Sequence, residues 1–72
     1  MANIDLNDTD TKIINELREG RNTPANLADR IGVSRQYASQ RIKRLTEHGI
    51  LEKVDRGLYE LVEDPREVSN SD

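Results

Sequence analysis

The stretch TPANLADRIGVSRQYASQRIKRLTEHG, residues 23–49, decides the fold. Thr23 is a good helix cap and Pro24 suits the first helical position, so a short helix is predicted to begin here. Gly32 ends that helix, and Ser34 caps another helix after one intervening residue. Two helices joined by so short a glycine turn predict a sharp change of direction between them, which is the helix-turn-helix arrangement.

The helix after Ser34 is predicted to run from about Arg35 to His48, and Gly49 ends it. One narrow face of this helix is apolar, because its apolar residues recur at helical spacing. These residues are Ala38, Ile42 and Leu45. The opposite face is polar and carries Arg35, Gln36, Ser39, Gln40 and Lys43. The sequence therefore predicts a helix that packs along one side and presents the other to solvent.

A further helix is predicted before this pair. Asn7 can cap it, and Asp10 stands three residues later, the spacing of a reciprocal capping box. An apolar face follows at Ile13, Ile14 and Leu17. Gly20 is expected to end this first helix as a left-handed residue.

A β-hairpin is predicted after the third helix. Residues 50–54 and 58–62 read as strands on either side of a three-residue loop, Asp55-Arg56-Gly57. The fold class is therefore α+β: a three-helix winged helix-turn-helix with a C-terminal β-hairpin wing. Residues 1–62 are expected to form the domain, and residues 63–72 an acidic, polar, flexible tail.

Composition excludes several classes of function. The chain has 72 residues, no Cys and a single His, so we predict neither an enzyme nor a metal or cofactor site. No apolar run is long enough to cross a membrane, and the N-terminus lacks the features of a signal peptide. A cytoplasmic protein is expected. With 33% hydrophobic residues and no Phe or Trp, the core must be built from Leu, Ile, Val and Ala.

Charge is distributed unevenly along the chain. The net charge is −3, yet the segment from residue 35 to residue 56 has six basic and three acidic residues, a charge of +3. Both ends of the chain are acidic. Positive charge concentrated on the third helix and hairpin favours an anionic partner for that part of the molecule.

The residues from Leu6 to Val62 resemble the winged-helix DNA-binding domains of prokaryotic regulators. The likeness is carried by Gly32-Val33-Ser34-Arg35, Arg41-Ile42-Lys43-Arg44-Leu45 and Glu47-His48-Gly49-Ile50-Leu51. The N-terminal domain of Lrp/AsnC-type regulators and the small repressor-like proteins of haloarchaea and their phages are most similar. The second resemblance suits the small size and a composition with eight Arg but three Lys, typical of proteins adapted to high salt. The effector-binding domain of Lrp/AsnC proteins has no counterpart here, so no small-molecule effector is expected.

The resemblance implies that the third helix enters the major groove of double-stranded DNA. We expect its outward face to read bases through Arg35, Gln36, Ser39, Gln40 and Lys43. Contacts to the DNA backbone are expected from Thr23, Ser34, Tyr37, Arg44 and Arg56.

Several of these residues have a second interpretation. Ser34 is first a helix cap, and Tyr37 can be a half-buried ring. Arg44 and Arg56 have Glu47 and Asp55 as alternative partners within the chain. Arg41, beside the apolar face, is expected to cover the core with its aliphatic stem.

The predicted function is sequence-specific transcriptional regulation. A homodimer would bind a pseudo-palindromic operator and repress the promoter it overlaps, with the first helix, Ile4 and Leu6 as candidate dimer contacts. The alternative is a winged-helix protein–protein interaction module that does not bind DNA. Such a module would favour an apolar patch on the exposed face of the third helix, whereas this face is polar.

Overall fold

The computed structural model describes residues 5–65. The helices are α1 (Asp8–Leu17), α2 (Pro24–Ile31) and α3 (Arg35–Glu47), and the strands are β1 (Leu51–Asp55) and β2 (Leu58–Leu61). Three helices followed by an antiparallel hairpin form an α+β winged helix-turn-helix, as the sequence predicts.

Side chains cap all three helices where the sequence predicts. The side-chain oxygens of Asn7, Thr23 and Ser34 each accept a hydrogen bond from the backbone N–H three residues further on. The side chain of Asp10 in turn accepts a hydrogen bond from the backbone N–H of Asn7, which completes the capping box. Gly32 ends α2 with φ +88°, a left-handed conformation that few other residues adopt at low cost. The turn between α2 and α3 is therefore specified at both ends.

Two helix ends differ slightly from the prediction. Helix α1 ends at Leu17 with Arg18 as its cap, so Gly20 follows the helix and is not its immediate cap. Helix α3 ends at Glu47, with His48 as the capping residue. Helix ends commonly fray by a residue or two, and neither difference changes the packed face.

The core lies where the three helices meet the base of the hairpin. It consists of aliphatic side chains that are at most 4% exposed: Ile13, Ile14, Leu17, Leu27, Ala28, Ala38, Ile42, Leu45, Ile50 and Leu51. Tyr59 packs against this cluster, whereas Tyr37 is 37% exposed. One of the two aromatic rings therefore contributes to the core.

The hairpin is tighter than predicted. Asp55 belongs to β1 and pairs with Leu58, which leaves a two-residue turn of Arg56 and Gly57. The register shifts between Lys53 and Asp55, so the extra residue is absorbed as a bulge in β1. The predicted three-residue loop is thus a bulge followed by a shorter turn.

Strand β2 gains a further strand-like partner near the turn of the hairpin, which the sequence did not reveal. Asn22, between α1 and α2, forms an isolated antiparallel bridge with Tyr59. Its two backbone hydrogen bonds measure 3.0 and 2.8 Å between nitrogen and oxygen. The side chains of Arg21 and Glu60 form an ion pair beside it. The segment between α1 and α2 and the wing are therefore connected by backbone hydrogen bonds in addition to the packing of the core.

A buried ion pair fixes α1 against α3. The carboxylate of Asp10 is fully buried and accepts hydrogen bonds of 2.7 Å from Nε and 2.5 Å from Nη2 of Arg41. Asp10 also accepts a hydrogen bond from the backbone N–H of Asn7. Its charge is therefore compensated, and both of its oxygens are hydrogen-bonded. The expected role of Arg41 was incomplete, since its guanidinium forms this ion pair. These hydrogen bonds raise the pKa of Arg41 above its ordinary value, against the opposing effect of burial.

One acidic residue of the predicted tail, Asp64, is buried. Asp64 is 7% exposed, and its carboxylate lies 2.8 Å from Nη1 of Arg18 at the end of α1. A buried carboxylate needs such a cationic partner, which is why this residue is held. The flexibility of the tail stays a prediction, and residues 66–72 lie outside the described residues.

We expect Arg41→Ala to lower the free energy of unfolding by about 3 kcal/mol, because it leaves the charge of Asp10 buried without its partner. Urea denaturation followed by circular dichroism measures the change. Arg44→Ala is the matched control, since Arg44 is an exposed residue of the same helix, and its effect should stay within about 0.5 kcal/mol. Equal stability of the two variants would contradict the structural role of the ion pair.

Candidate nucleic-acid interface

The outward face of α3 is exposed along its length. Its packed face is buried to 1% exposure or less, which fixes the rotation of the helix. The five residues predicted to read bases all lie on the exposed side: Arg35, Gln36, Ser39, Gln40 and Lys43. Within residues 5–65 their side chains make no hydrogen bond or ion pair, so their donors and acceptors are available to a ligand.

A shallow, open groove lies between α2 and the start of α3. Thr23 and Arg35, two predicted DNA-contacting residues, are both among its lining residues. The oxygen of Thr23 accepts a hydrogen bond from the N–H of Asn26 as a helix cap. Asp29 also lines the groove, so negative charge stands near Arg35 without an ion pair between them in the described chain. The structure thus brings one predicted backbone contact and one predicted base contact to a shared surface.

Ser34 and Tyr37 lie together in the first turn of α3. Ser34 acts as a cap, with its hydroxyl oxygen 3.0 Å from the backbone nitrogen of Tyr37. The hydroxyl oxygen of Tyr37 accepts a hydrogen bond of 3.0 Å from Nδ2 of Asn7. At 37% exposure the Tyr37 ring is neither a core residue nor fully free. Its hydroxyl group is accessible at the boundary between α1 and α3.

Arg44 and Arg56 are exposed, and the alternative partners suggested by the sequence do not hold them. Within residues 5–65, no ion pair joins Arg44 to Glu47 or Arg56 to Asp55. The Asp55 carboxylate instead accepts a bond of 2.7 Å from the backbone N–H of Arg56, which orders the turn. Arg56 therefore stands at the tip of the wing, on a different element from the α3 residues.

The ion pairs sort the basic residues into two groups. Five of those in residues 5–65 have acidic partners, and none of the five lies on the outward face of α3 or on the hairpin: Lys12, Arg18, Arg21, Arg30 and Arg41. In the same part of the chain, the basic residues with no acidic partner lie on α3 and the hairpin: Arg35, Lys43, Arg44, Lys53 and Arg56. All five of these are exposed. Although the net charge of the chain is −3, the basic side chains of residues 5–65 that lack an acidic partner lie on α3 and the wing.

Sequence reasoning missed two residues at the edge of this surface. Asn7 was predicted as a cap alone, yet it also contacts Tyr37 of α3. Arg41 was assigned to the core, yet its guanidinium connects α3 to α1. The helical spacing of Tyr37 and Arg41 was a usable signal, because residues four apart share one side of a helix.

The described chain offers hydrogen-bond donors at this surface. No group of His, Cys, Asp or Glu side chains within residues 5–65 is arranged to hold a metal ion. In the same range, no helix is long and apolar enough to cross a membrane. What the surface offers is an array of cationic and amide donors on one helix and one turn.

Residues 6–52 match a family model described as winged helix-turn-helix DNA-binding. The match extends from the residue before the cap of α1 into β1 and includes the whole of α3. Comparison with curated proteins and with solved structures gave no match.

Proposed function

The chain belongs to the winged helix-turn-helix DNA-binding family, and on that premise we propose that it is a sequence-specific transcriptional regulator. In this proposal α3 lies in the major groove of double-stranded DNA and the wing contacts the adjacent backbone. The observation that carries it is the location of the unpaired basic side chains, which in residues 5–65 all lie on α3 and the hairpin. Phosphates would supply the missing counter-charges.

Base recognition is assigned to the outward face of α3. Arg35 and Lys43 can donate to O6 and N7 of guanine, and Gln36 and Gln40 can form paired hydrogen bonds with adenine. Ser39 can bond to either type of base. All five side chains are exposed and free of partners within residues 5–65, so binding need not break an internal bond.

Backbone contacts are assigned to the surrounding residues. Thr23 and Ser34 stand at the N-termini of α2 and α3, where backbone N–H groups favour anions. Tyr37 and Arg44 border the outward face of α3, and Arg56 lies at the tip of the wing. These contacts position the protein on DNA without distinguishing sequences.

Two copies are proposed to bind one pseudo-palindromic operator and to block the promoter that it overlaps. A single module of this size reads a short half-site, and pairing two modules increases both affinity and site length. Leu6 packs against the core, which leaves the outer face of α1 as the larger candidate surface for dimer contacts. Ile4, the other predicted contact, lies outside the described residues.

A protein–protein interaction module is the alternative, and the composition of α3 disfavours it. Docking surfaces for proteins are enriched in aromatic and apolar side chains at their centre. The outward face of α3 carries Arg, Gln, Ser and Lys. Elsewhere in residues 5–65 the large exposed apolar side chain is Val62, at 55% exposure, well removed in sequence from α3.

The acidic net charge bears on the conditions under which binding occurs. Each phosphate neutralised by a cation contributes about −0.9 to the slope of log affinity against log salt concentration on duplex DNA. If the protein works at high salt, as its composition suggests, base contacts and shape must supply most of the affinity. Binding should therefore be compared at low and at molar salt.

Selection from a pool of randomised duplexes, followed by sequencing, tests the proposed function. We expect enrichment of an inverted repeat whose half-sites are about one helical turn apart. Sedimentation of the protein with the selected duplex should show two chains on one DNA. Absence of binding to any duplex would overturn the proposal and favour the interaction module. A single half-site bound by one chain would overturn the dimer.

Lys43→Ala should weaken binding to the selected duplex by about tenfold and relax the preference at one base pair, since a base contact is worth about 1–3 kcal/mol. Competition anisotropy against duplexes altered at single positions measures both effects. Arg30→Ala is the control for loss of a positive charge, because Arg30 is an exposed basic residue of α2 that pairs with Glu16. Equal binding by the two variants would argue against base reading by Lys43.

Arg56→Ala should weaken binding to selected and scrambled duplexes by similar factors, because the wing is assigned a backbone contact. The slope of log affinity against log salt concentration should become shallower by about 1. The measurement is the affinity for each of the two duplexes, determined by titration at several salt concentrations. A changed base preference would instead assign Arg56 to groove reading.

A further inference from the structure

Asn7 makes two side-chain hydrogen bonds that together fix its orientation. Its Oδ1 accepts the backbone N–H of Asp10 at 2.7 Å. Since a backbone N–H can only donate, this bond determines which end of the amide is oxygen. The amide nitrogen must then point to the other partner, the hydroxyl oxygen of Tyr37 at 3.0 Å.

The direction of the Tyr37 hydroxyl proton follows from this arrangement. A phenol hydroxyl can accept and can donate one proton. Because Asn7 approaches the oxygen as a donor, the proton of Tyr37 cannot be directed at Asn7. No acceptor for it occurs among residues 5–65, and the ring is 37% exposed. The cap of α1 therefore leaves a free donor on Tyr37.

The hydroxyl group of Tyr37 lies at the border of the outward face of α3. Tyr37, Arg41 and Arg44 are spaced by four and three residues and share one side of α3. Tyr37 and Arg41 both bond to the start of α1, at Asn7 and Asp10, so this side faces α1. Arg44 is exposed and without an acidic partner in the described chain. A neutral donor and a cation thus stand along the same border.

We propose that Asn7 is a positioning residue for DNA binding: it holds the oxygen of Tyr37 so that the hydroxyl proton is donated to a phosphate of the DNA backbone. Phosphate oxygens accept hydrogen bonds and never donate at neutral pH, which matches a site that presents a proton. The inference rests on the proposed function and adds a residue on α1 to the determinants of affinity. The bond from Asn7 keeps the hydroxyl proton available, because Asn7 cannot accept it.

Three substitutions separate this role from helix capping. Tyr37→Phe removes the hydroxyl and keeps the ring. Asn7→Ser keeps a good cap but is too short to hold Tyr37. Asn7→Asp also keeps the cap, yet its carboxylate can only accept and would draw the hydroxyl proton toward itself. Asn15→Asp, at an exposed position on α1, controls for the added negative charge, and sedimentation verifies that two chains of this variant still bind one duplex.

Anisotropy titrations with the selected duplex and a scrambled duplex provide the test. We expect Tyr37→Phe and Asn7→Asp to weaken binding to both duplexes by about tenfold, and Asn7→Ser by a smaller factor. Because the contact is uncharged, Tyr37→Phe should leave the slope of log affinity against log salt concentration unchanged. In the Tyr37→Phe background, Asn7→Asp should cost no more than Asn15→Asp. Thermal unfolding by circular dichroism verifies that each variant is folded.

The outcomes distinguish this inference from the proposed function. If Lys43→Ala weakens binding while Tyr37→Phe binds like the unaltered protein, the inference is overturned and the function stands. The inference is also overturned if Asn7→Asp costs as much with Phe at position 37 as with Tyr. If the unaltered protein binds no duplex, both are overturned.

Discussion

The pairing of Asp10 with Arg41 is the interaction on which the arrangement of the helices depends. A carboxylate with no exposed surface is stable only when its charge is compensated and its oxygens are bonded. Arg41 meets both needs from α3, and the backbone of Asn7 completes them from α1. The packed face of α3 is narrow, with Ala38, Ile42 and Leu45 as its buried residues. A bidentate pair adds direction, so the ion pair helps determine which side of α3 faces outward.

Local signals in the sequence were sufficient to predict the elements. Caps, glycines and apolar spacing act over a few residues, and the structure confirms Asn7, Thr23 and Ser34 as caps and Gly32 as the end of α2. Contacts between distant residues were not predictable in this way. The bridge from Asn22 to Tyr59 and the pairing of Arg18 with Asp64 join residues far apart in the chain, and neither leaves a periodic pattern. The bulge in β1 likewise depends on the pairing register, which the strand composition does not determine.

The location of the candidate site was predictable from the sequence, whereas the pairing of its charged side chains was less so. Exposure of the residues that are predicted to read bases followed from the apolar face opposite them, so helical geometry alone placed Gln40 and Lys43 outward. Whether a surface arginine is free or paired could not be read from the sequence, because nearby acidic residues such as Glu47 and Asp55 were available. In the structure these acids leave Arg44 and Arg56 uncompensated. Side-chain reach and rotamer choice, which depend on three-dimensional neighbours, decided that outcome.

The bridge between Asn22 and Tyr59 has a consequence for the thermodynamics of recognition. A two-stranded ribbon attached by one end is a marginal structure, and immobilising it on a ligand would cost conformational entropy. Here β2 is secured near the turn by two backbone hydrogen bonds between Asn22 and Tyr59 and by the ion pair of Arg21 with Glu60. The turn at Arg56 and Gly57 is separated from this bridge by Leu58 alone. The ribbon is therefore largely preorganised, and most of its ordering has already occurred when the protein folds.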